Sequence, residues 1–530
     1  MQGSHRVGEN WYFRARDSFP IDARTIIMSR STGLVLARNS ILNLVTQGVV
    51  SVVAFISLPF VVHGMGVESF GILTLVWMVV GYFSVLDLGV GQASVKYLAE
   101  HLARDEREQA NSLIWVSVSL SVAIGVAMTV ALLLLVPTLE EHVFTIPASL
   151  QADAHRALYL VAFIIPFVMI QGAFRAVPMA VQRFDLFNVM LAGSGIAQWG
   201  GSFILVKLGF GLYAVVLLTV AIRVLGALLA FGIAVYLFPG LSLRFPKGFR
   251  HTSNKLLRFG SWLTVSQLVS PVTKYLDRVL VASYQTMRMF TFYAVPYEAV
   301  SRLQIIPMSI STTLFPAIAE RDSVRGRTDS RLLYWRVMKF LVVGMLPVSL
   351  FLWVFSHEIL QLWLGGDFPI MSNTVLKILA GAVFVQALGY VPLTTLQAIG
   401  RPDIAAKYYL AEIPLYFALC FLLVPRYGIE GAAWAWLLRL AIVTTGLMWS
   451  ARRELQGGQS VEGISLLRRS LGMNFLFGGS LFLLHASGLS TTNSAGLLVV
   501  ASLLYSGGVW FYGLSTDDKR IILRLVGRTA

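Results

Sequence analysis

Charge is the scarcest ingredient of this chain. Only 13% of its 530 residues are Asp, Glu, Lys or Arg, against roughly 25% in an ordinary globular domain. That shortage takes the chain out of the soluble range. Cysteine is nearly absent as well. The single Cys420 sits in an apolar run, which excludes a disulfide framework and a thiolate metal site within one chain. His63, His142, His357 and His485 fall near the ends of apolar segments without metal-ligand spacing. No phosphate-cradling Gly-Lys loop, nucleophile elbow or CxxC occurs, so neither a catalytic residue nor a cofactor is expected, and the chain does not read as an enzyme. Nor is there a loop long enough for a nucleotide domain, which leaves an ion gradient, the membrane potential or the substrate's own gradient as driving force. Residues 1–40 have no apolar core of the signal-peptide kind and read as a basic cytosolic leader.

What is present is hydrophobic. Apolar residues make up 56% of the chain and its mean hydropathy is +0.72. Many segments reach the ~20 apolar residues that span a bilayer. Fourteen spans are predicted near 41–62, 70–98, 112–136, 157–178, 186–206, 212–238, 259–283, 290–317, 335–356, 374–399, 405–424, 429–450, 471–488 and 495–514. The net charge of +15 follows from topology rather than nucleic-acid binding. Loop cations such as Arg104, Arg183, Lys247, Arg325, Arg336, Lys339, Arg401 and Arg452 fall on one side, while the longest loop of the other side, 137–155, is acidic. This positive-inside pattern puts both termini in the cytosol.

The chain also repeats itself. Val181-Gln-Arg-Phe-Asp185 echoes Ile399-Gly-Arg-Pro-Asp403, and Leu208-Gly-Phe-Gly-Leu-Tyr-Ala214 echoes Tyr427-Gly-Ile-Glu-Gly-Ala-Ala433. Each of the latter two is followed by an intramembrane arginine, Arg223 or Arg439. The expected organisation is an N-lobe at 41–238, a basic linker at 239–258, a C-lobe at 259–450, a cytosolic loop at 451–470, two further helices within 471–514 and a cytosolic tail at 515–530. Lobes with six spans each share one orientation. They form parallel repeats about an axis along the membrane normal, a plan that places a substrate site between halves.

Charges inside the spans are the candidate site. Asp87 lies deep in the second span, where a charge costs roughly 2.5–3.5 kcal/mol on insertion scales and needs a partner or water. Proton or sodium carriage and an acidic helix cap beside Gly89 are both open to it. Arg223, Lys274, Arg278, Arg302 and Arg439 are candidates for binding an anionic group, because the arginine fork holds phosphate oxygens two at a time and stays charged when buried. Asp277, Glu298 and Glu412 join Asp87 as candidates for ion coupling, or for pairing with neighbouring bases. Glu298 and Arg302 have the i, i+4 spacing of an internal ion pair, and Asp277 adjoins Arg278. Arg175 and Lys377, at span edges, are expected to snorkel to the interface.

Several motifs in order resemble polysaccharide or O-antigen repeat-unit flippases of the multidrug/oligosaccharidyl-lipid/polysaccharide (MOP) exporter superfamily. They are Gly66-Val-Glu-Ser-Phe-Gly71, Asp87-Leu-Gly-Val-Gly91, Lys96-Tyr-Leu-Ala-Glu100, Asp277-Arg278 followed by Phe292-Tyr293-Ala294, Leu362-Trp-Leu-Gly-Gly-Asp-Phe368 and Gly428-Ile-Glu-Gly-Ala-Ala433. The resemblance implies an all-α polytopic fold whose two six-helix lobes form a V, with two C-terminal helices added. It implies alternating-access export of an undecaprenyl-pyrophosphate-linked oligosaccharide across the bacterial inner membrane, through a cationic central cavity. Lipid-linked oligosaccharide and membrane lipid are the partners implied, and H⁺ or Na⁺ the coupling ion. Two rivals stand beside it. A cation-coupled multidrug exporter would favour an acidic cavity, and a membrane-embedded polysaccharide polymerase or ligase would need a larger outer loop.

Overall fold

Lipid offers the backbone no hydrogen-bond partner, so a chain this apolar must satisfy its amides within helices. A computed structural model describes residues 32–85, 89–238, 241, 252–254, 256, 273–455, 461–487, 491–514 and 518–519. Among them there is no strand. The helices are α1 (Thr32–Met65), α2 (Val67–Val85), α3 (Val90–Ala103), α4 (Arg107–Thr138), α5 (Gln151–Ala180), α6 (Phe184–Lys207) and α7 (Leu212–Leu237). They continue with α8 (273–284), α9 (Met287–Ser301), α10 (Ile305–Arg325), α11 (Arg327–Val354), α12 (Ser356–Trp363) and α13 (Phe368–Met371). The last are α14 (Asn373–Ala398), α15 (Pro402–Glu454), α16 (Val461–Ala486) and α17 (Thr491–Gly508). Nine of the described helices are long and apolar enough to cross a membrane. The protein is an all-α, multi-pass membrane protein.

Two expected spans differ in form. The span at 70–98 is two helices, α2 and α3, separated where Gly89 takes a left-handed φ of 73°. The span at 290–317 is interrupted by a 3-10 turn over Arg302–Gln304. Hydropathy registers neither break, because it averages over windows longer than one turn. The spans at 405–424 and 429–450 are the two arms of α15, which fold back on each other at Gly428 (φ 58°, ψ −131°). Lys339, counted above with the loop cations, lies inside α11 with 1% of its surface exposed and is ion-paired to Asp518. Of the span at 259–283, residues 259–272 lie outside the described residues, as do Asp87 and most of the 239–258 linker.

In lipid, helices associate through close packing and interhelical hydrogen bonds rather than hydrophobic exclusion. Within residues 32–238, α1 packs on α6, and α5 on α4 and α7. Within residues 273–455, α14 packs on α10, α11 and α15. Helix α16 docks on α11 and carries α17. The main contact between the two sets is α2 against α9.

The turns alternate between two ends of the molecule: those at 66, 209, 286, 365 and 428 mark one end, and those at 105, 182, 326 and 400 the other. Toward the Gly66 end a single core crosses both sets, joining Leu58, Leu73, Val161 and Val215 to Leu280, Phe292, Leu379 and Val424. Toward the Asp105 end the core divides. Leu98, Leu113, Phe174 and Ala234 form one cluster, and Ile318, Tyr334, Val391 and Leu447 another. The two sets are therefore fused at one end and packed separately at the other.

Candidate functional site

The fused end is fastened by bonds across the two sets. The Thr291 hydroxyl of α9 donates to the Val67 carbonyl of α2 at 2.7 Å. At Gly71 a Cβ would stand 2.7 Å from the Met287 carbonyl oxygen, so only glycine lets α2 and α9 come this close. The Thr145 amide and hydroxyl donate to the carbonyls of Ala282 and Ser283 at 3.1 and 3.0 Å. The Trp363 indole stacks on Phe55 with centroids 4.4 Å apart and donates to the Phe55 carbonyl at 3.0 Å.

Where the shared core gives out, Arg302 bridges the sets. The 3-10 turn that interrupts α9 and α10 presents its side chain to α1 and α6. One guanidinium nitrogen donates to Glu298 at 2.8 Å, another to the Ser51 hydroxyl at 3.4 Å, and the plane lies 5.6 Å from the centre of the Trp199 ring. Glu298 and Arg302 thus form the i, i+4 pair, yet 40% of the Glu298 side chain stays exposed. Trp199 is held edge-on to Trp77 at 4.8 Å. The Trp77 indole and the Gln198 amide both donate to the Thr219 hydroxyl, at 3.4 and 3.0 Å. Arg302 of the second set thus meets Ser51 and Trp199 of the first, and the Trp199 ring is backed by a hydrogen-bonded group within the first set.

The remaining charges of the second set are drawn inward. Asp277, 1% exposed, accepts a short hydrogen bond from the Tyr293 hydroxyl, and its other oxygen has no partner among the described residues. Arg278 makes no salt bridge to it among the described residues and lies over the rings of Tyr297 at 4.0 Å and Tyr275 at 5.3 Å. Neighbours on a helix project about 100° apart, which is why adjacency in sequence did not make this an ion pair. Arg439 pairs with Glu412 at 3.0 Å across the arms of α15, donates to the Thr273 carbonyl at 3.0 Å and lies over the Tyr416 ring at 4.3 Å. Lys274 is exposed. Tyr275 reaches the first set, its hydroxyl 2.6 Å from where a Cβ on Gly81 would stand.

Arg223 lies apart from these, on α7, its Nε buried without a hydrogen-bond partner among the described residues. Arg175 rests over the Phe187 ring at 4.8 Å, while Lys377 lies against Trp353 at 5.6 Å. Among the described residues no group of His, Cys, Asp and Glu is arranged to hold a metal. The structure brings Arg302 and Glu298 to the seam with Tyr275, Trp199 and Ser51, and gathers Asp277, Arg278, Glu412 and Arg439 within the second set. Sequence reasoning missed Ser51, Trp77, Trp199 and Thr219, because single aromatic or hydroxyl residues in an apolar helix carry no local mark of function.

Fused at one end and divided at the other, the fold is similar to those of solved membrane transporters. The inward closed lipid II flippase MurJ aligns with a TM-score of 0.65 at 13% identity, over 94% of this chain and all of that one. An inward-facing multidrug resistance MATE transporter aligns with 0.64 at 15% identity, over 78% of this chain and 98% of that one. At the sequence level, the family model described as polysaccharide biosynthesis protein matches residues 36–321, and the chain belongs to that family. A Shigella flexneri protein carrying the name O-antigen transporter is 28% identical over 78% of this chain and 97% of its own length. A Haloferax volcanii protein named as a low-salt glycan biosynthesis flippase is 24% identical over 46% of this chain and 50% of its own.

Proposed function

We propose that this protein is an inner-membrane flippase that moves an undecaprenyl-pyrophosphate-linked oligosaccharide from the cytosolic to the periplasmic leaflet by alternating access. The observation that carries the reading is a core shared at one end and divided at the other, with Arg302 at the fork. With the divided end cytosolic, as the loop charges favour, the molecule faces inward. Two lobes of six helices, 41–238 and 259–450, rock about the seam, and the helices within 471–514 flank the second lobe.

Taking a pyrophosphate and many hydroxyls through hydrocarbon is prohibitive, since each unsatisfied polar group costs several kcal/mol. Arg302 and Lys274 meet the headgroup first, and the guanidinium of Arg302 exchanges the Glu298 carboxylate for phosphate. Arg223 draws the headgroup from the first lobe, and Arg278 and Arg439 supply a positive field from behind the seam. The isoprenoid tail stays in lipid. Asp277, with one carboxylate oxygen unmatched, is the residue we assign to H⁺ or Na⁺ coupling. The surplus of bases over acids in this interior supports an anionic cargo over a cationic drug.

The test is translocation of a fluorescent lipid-linked oligosaccharide in vesicles containing the purified protein. Arg302→Gln and Arg278→Ala are expected to abolish translocation while the protein still inserts and folds. Wild-type rates in both variants would refute the reading.

A further inference from the structure

Helix α1 carries a stripe of uncharged polar side chains in an otherwise apolar run. Asn43, Gln47 and Ser51 follow one another at four-residue spacing, which stacks them on one face over about 12 Å of the axis. At about 100° per residue the opposite face is that of Val45, Val49, Val52 and Ile56, 45–59% exposed and so the side toward lipid. The stripe itself is half-buried. It begins at the seam between the two sets, where Ser51 accepts from Arg302 at 3.4 Å. From there it runs toward the divided end, since α1 approaches the fused end only at Met65.

Polar residues on a membrane helix commonly act as glue to a neighbouring helix. Among the described residues this stripe does not join α1 to α6, the helix on which α1 packs. Gln47 donates to the Asn43 carbonyl oxygen at 3.1 Å, Ser51 bonds Arg302, and no hydrogen bond runs from any of the three to α6. One such bond leaves most of each amide's donors and lone pairs unused. Helix α10, which touches α1 from the second set, brings matching chemistry, for Ser309-Ile-Ser-Thr-Thr313 has four hydroxyls in five residues. The exposed Thr312 and Thr313 donate back to the carbonyls of Ser309 and Ile310 at 2.7 and 2.9 Å, so their oxygens remain acceptors. Neither 39–62 of α1 nor 305–319 of α10 holds an Asp, Glu, Lys or Arg. Amides and hydroxyls without charge suit a ligand whose own groups are neutral and both donate and accept. That is the chemistry of sugar hydroxyls, not of phosphate or of a cationic drug.

We infer that Asn43 and Gln47, with the hydroxyls of α10, form a glycan-reading track that hydrogen-bonds the sugar units of the cargo while Arg302 holds its charged headgroup. This rests on the flippase reading above and deepens it by naming the class of sugar. The track takes neutral hexoses and N-acetylhexosamines. It disfavours uronic acids, whose carboxylate would lose its hydration there with no base on the track to receive it.

The experiment measures binding to the full-length protein in detergent with three probes: undecaprenyl pyrophosphate bare, carrying N-acetylglucosamine, and carrying glucuronic acid. The wild type should bind the N-acetylglucosamine lipid about tenfold more tightly than the bare one, the gain expected of two net hydrogen bonds. Asn43→Leu/Gln47→Leu should lose that preference, whereas Arg302→Gln should weaken both lipids alike. Gln47→Leu by itself should lose part of the preference, and it carries the test if the double variant does not fold. A preference kept in either folded variant would overturn the inference. If the same variant also melts at a lower temperature, the stripe is structural glue instead. Glucuronic acid lipid bound as tightly as N-acetylglucosamine lipid would overturn the selection of neutral sugars. A wild type that binds bare and sugar-bearing lipids equally would remove the track and leave the flippase reading standing. A wild type that binds none of the three would remove both.

Discussion

Replacing Gly71 with valine tests whether the fused end is a gate. A Cβ at this position would stand 2.7 Å from the Met287 carbonyl oxygen and 2.8 Å from the Thr291 hydroxyl. The first obstacle is backbone, which cannot swing aside, so α2 and α9 must separate by the better part of an ångström. Overpacking of this kind costs about 1–3 kcal/mol. Parting the helices also strains the 2.7 Å bond from Thr291 to the Val67 carbonyl, a net loss of about 0.5–1.5 kcal/mol. If alternating access operates, both costs fall only on the conformation closed at this end. Taking about 2–3 kcal/mol as the sum, the ratio of open to closed shifts by about 30- to 150-fold. The reporter is Ala294→Cys, a position 4% exposed in the shared core on the α2-facing side of α9. The native Cys420 is buried and supplies the low background. Membrane-impermeant maleimide added from the Gly66 side should label Ala294→Cys slowly in the parent and far faster with Gly71→Val. Equal labelling in a folded Gly71→Val protein would refute the gate, and a protein that merely unfolds would expose the cysteine from both sides.

Two predictions concern the buried charges. Glu412→Gln should destabilise the protein by about 3–5 kcal/mol, because it leaves the Arg439 cation buried and unmatched, and Glu412→Gln/Arg439→Gln should recover most of that loss. A double-mutant cycle in thermal unfolding measures it, and additive losses would contradict the pairing. Likewise Lys339→Met should strip the fully buried Asp518 of a basic partner, Arg336 at 3.2 Å being another among the described residues. Lys339→Met/Asp518→Asn is expected to be more stable than Lys339→Met alone, as read by the same thermal assay.

Much of the helical layout was legible in the chain because hydropathy is a local, additive property. Apolar runs such as 112–136 and 212–238 fall inside single helices, and the Gly428 turn falls between two predicted runs. The break at Gly89 was open to the sequence reading as a helix cap, whereas the 3-10 turn at Arg302–Gln304 spans fewer residues than the averaging window and left no mark. Of the site, the Glu298–Arg302 pair was readable because i, i+4 neighbours meet on any helix. The Arg439–Glu412 pair joins residues far apart in sequence, across a hairpin whose register no periodicity encodes. The orientation of Arg278 onto Tyr297 depends on where α9 lies against α8.

By itself the sequence determined that this is a membrane-spanning, multi-helix chain, rich in intramembrane bases. Composition and hydropathy suffice for that, because the bilayer selects helices by the properties of short segments. Only the tertiary structure decided which charges are neutralised and which are left over. It also decided that the two helix sets share a core at one end alone. Both are matters of contact between distant residues, and a contact exists only once the helices have packed.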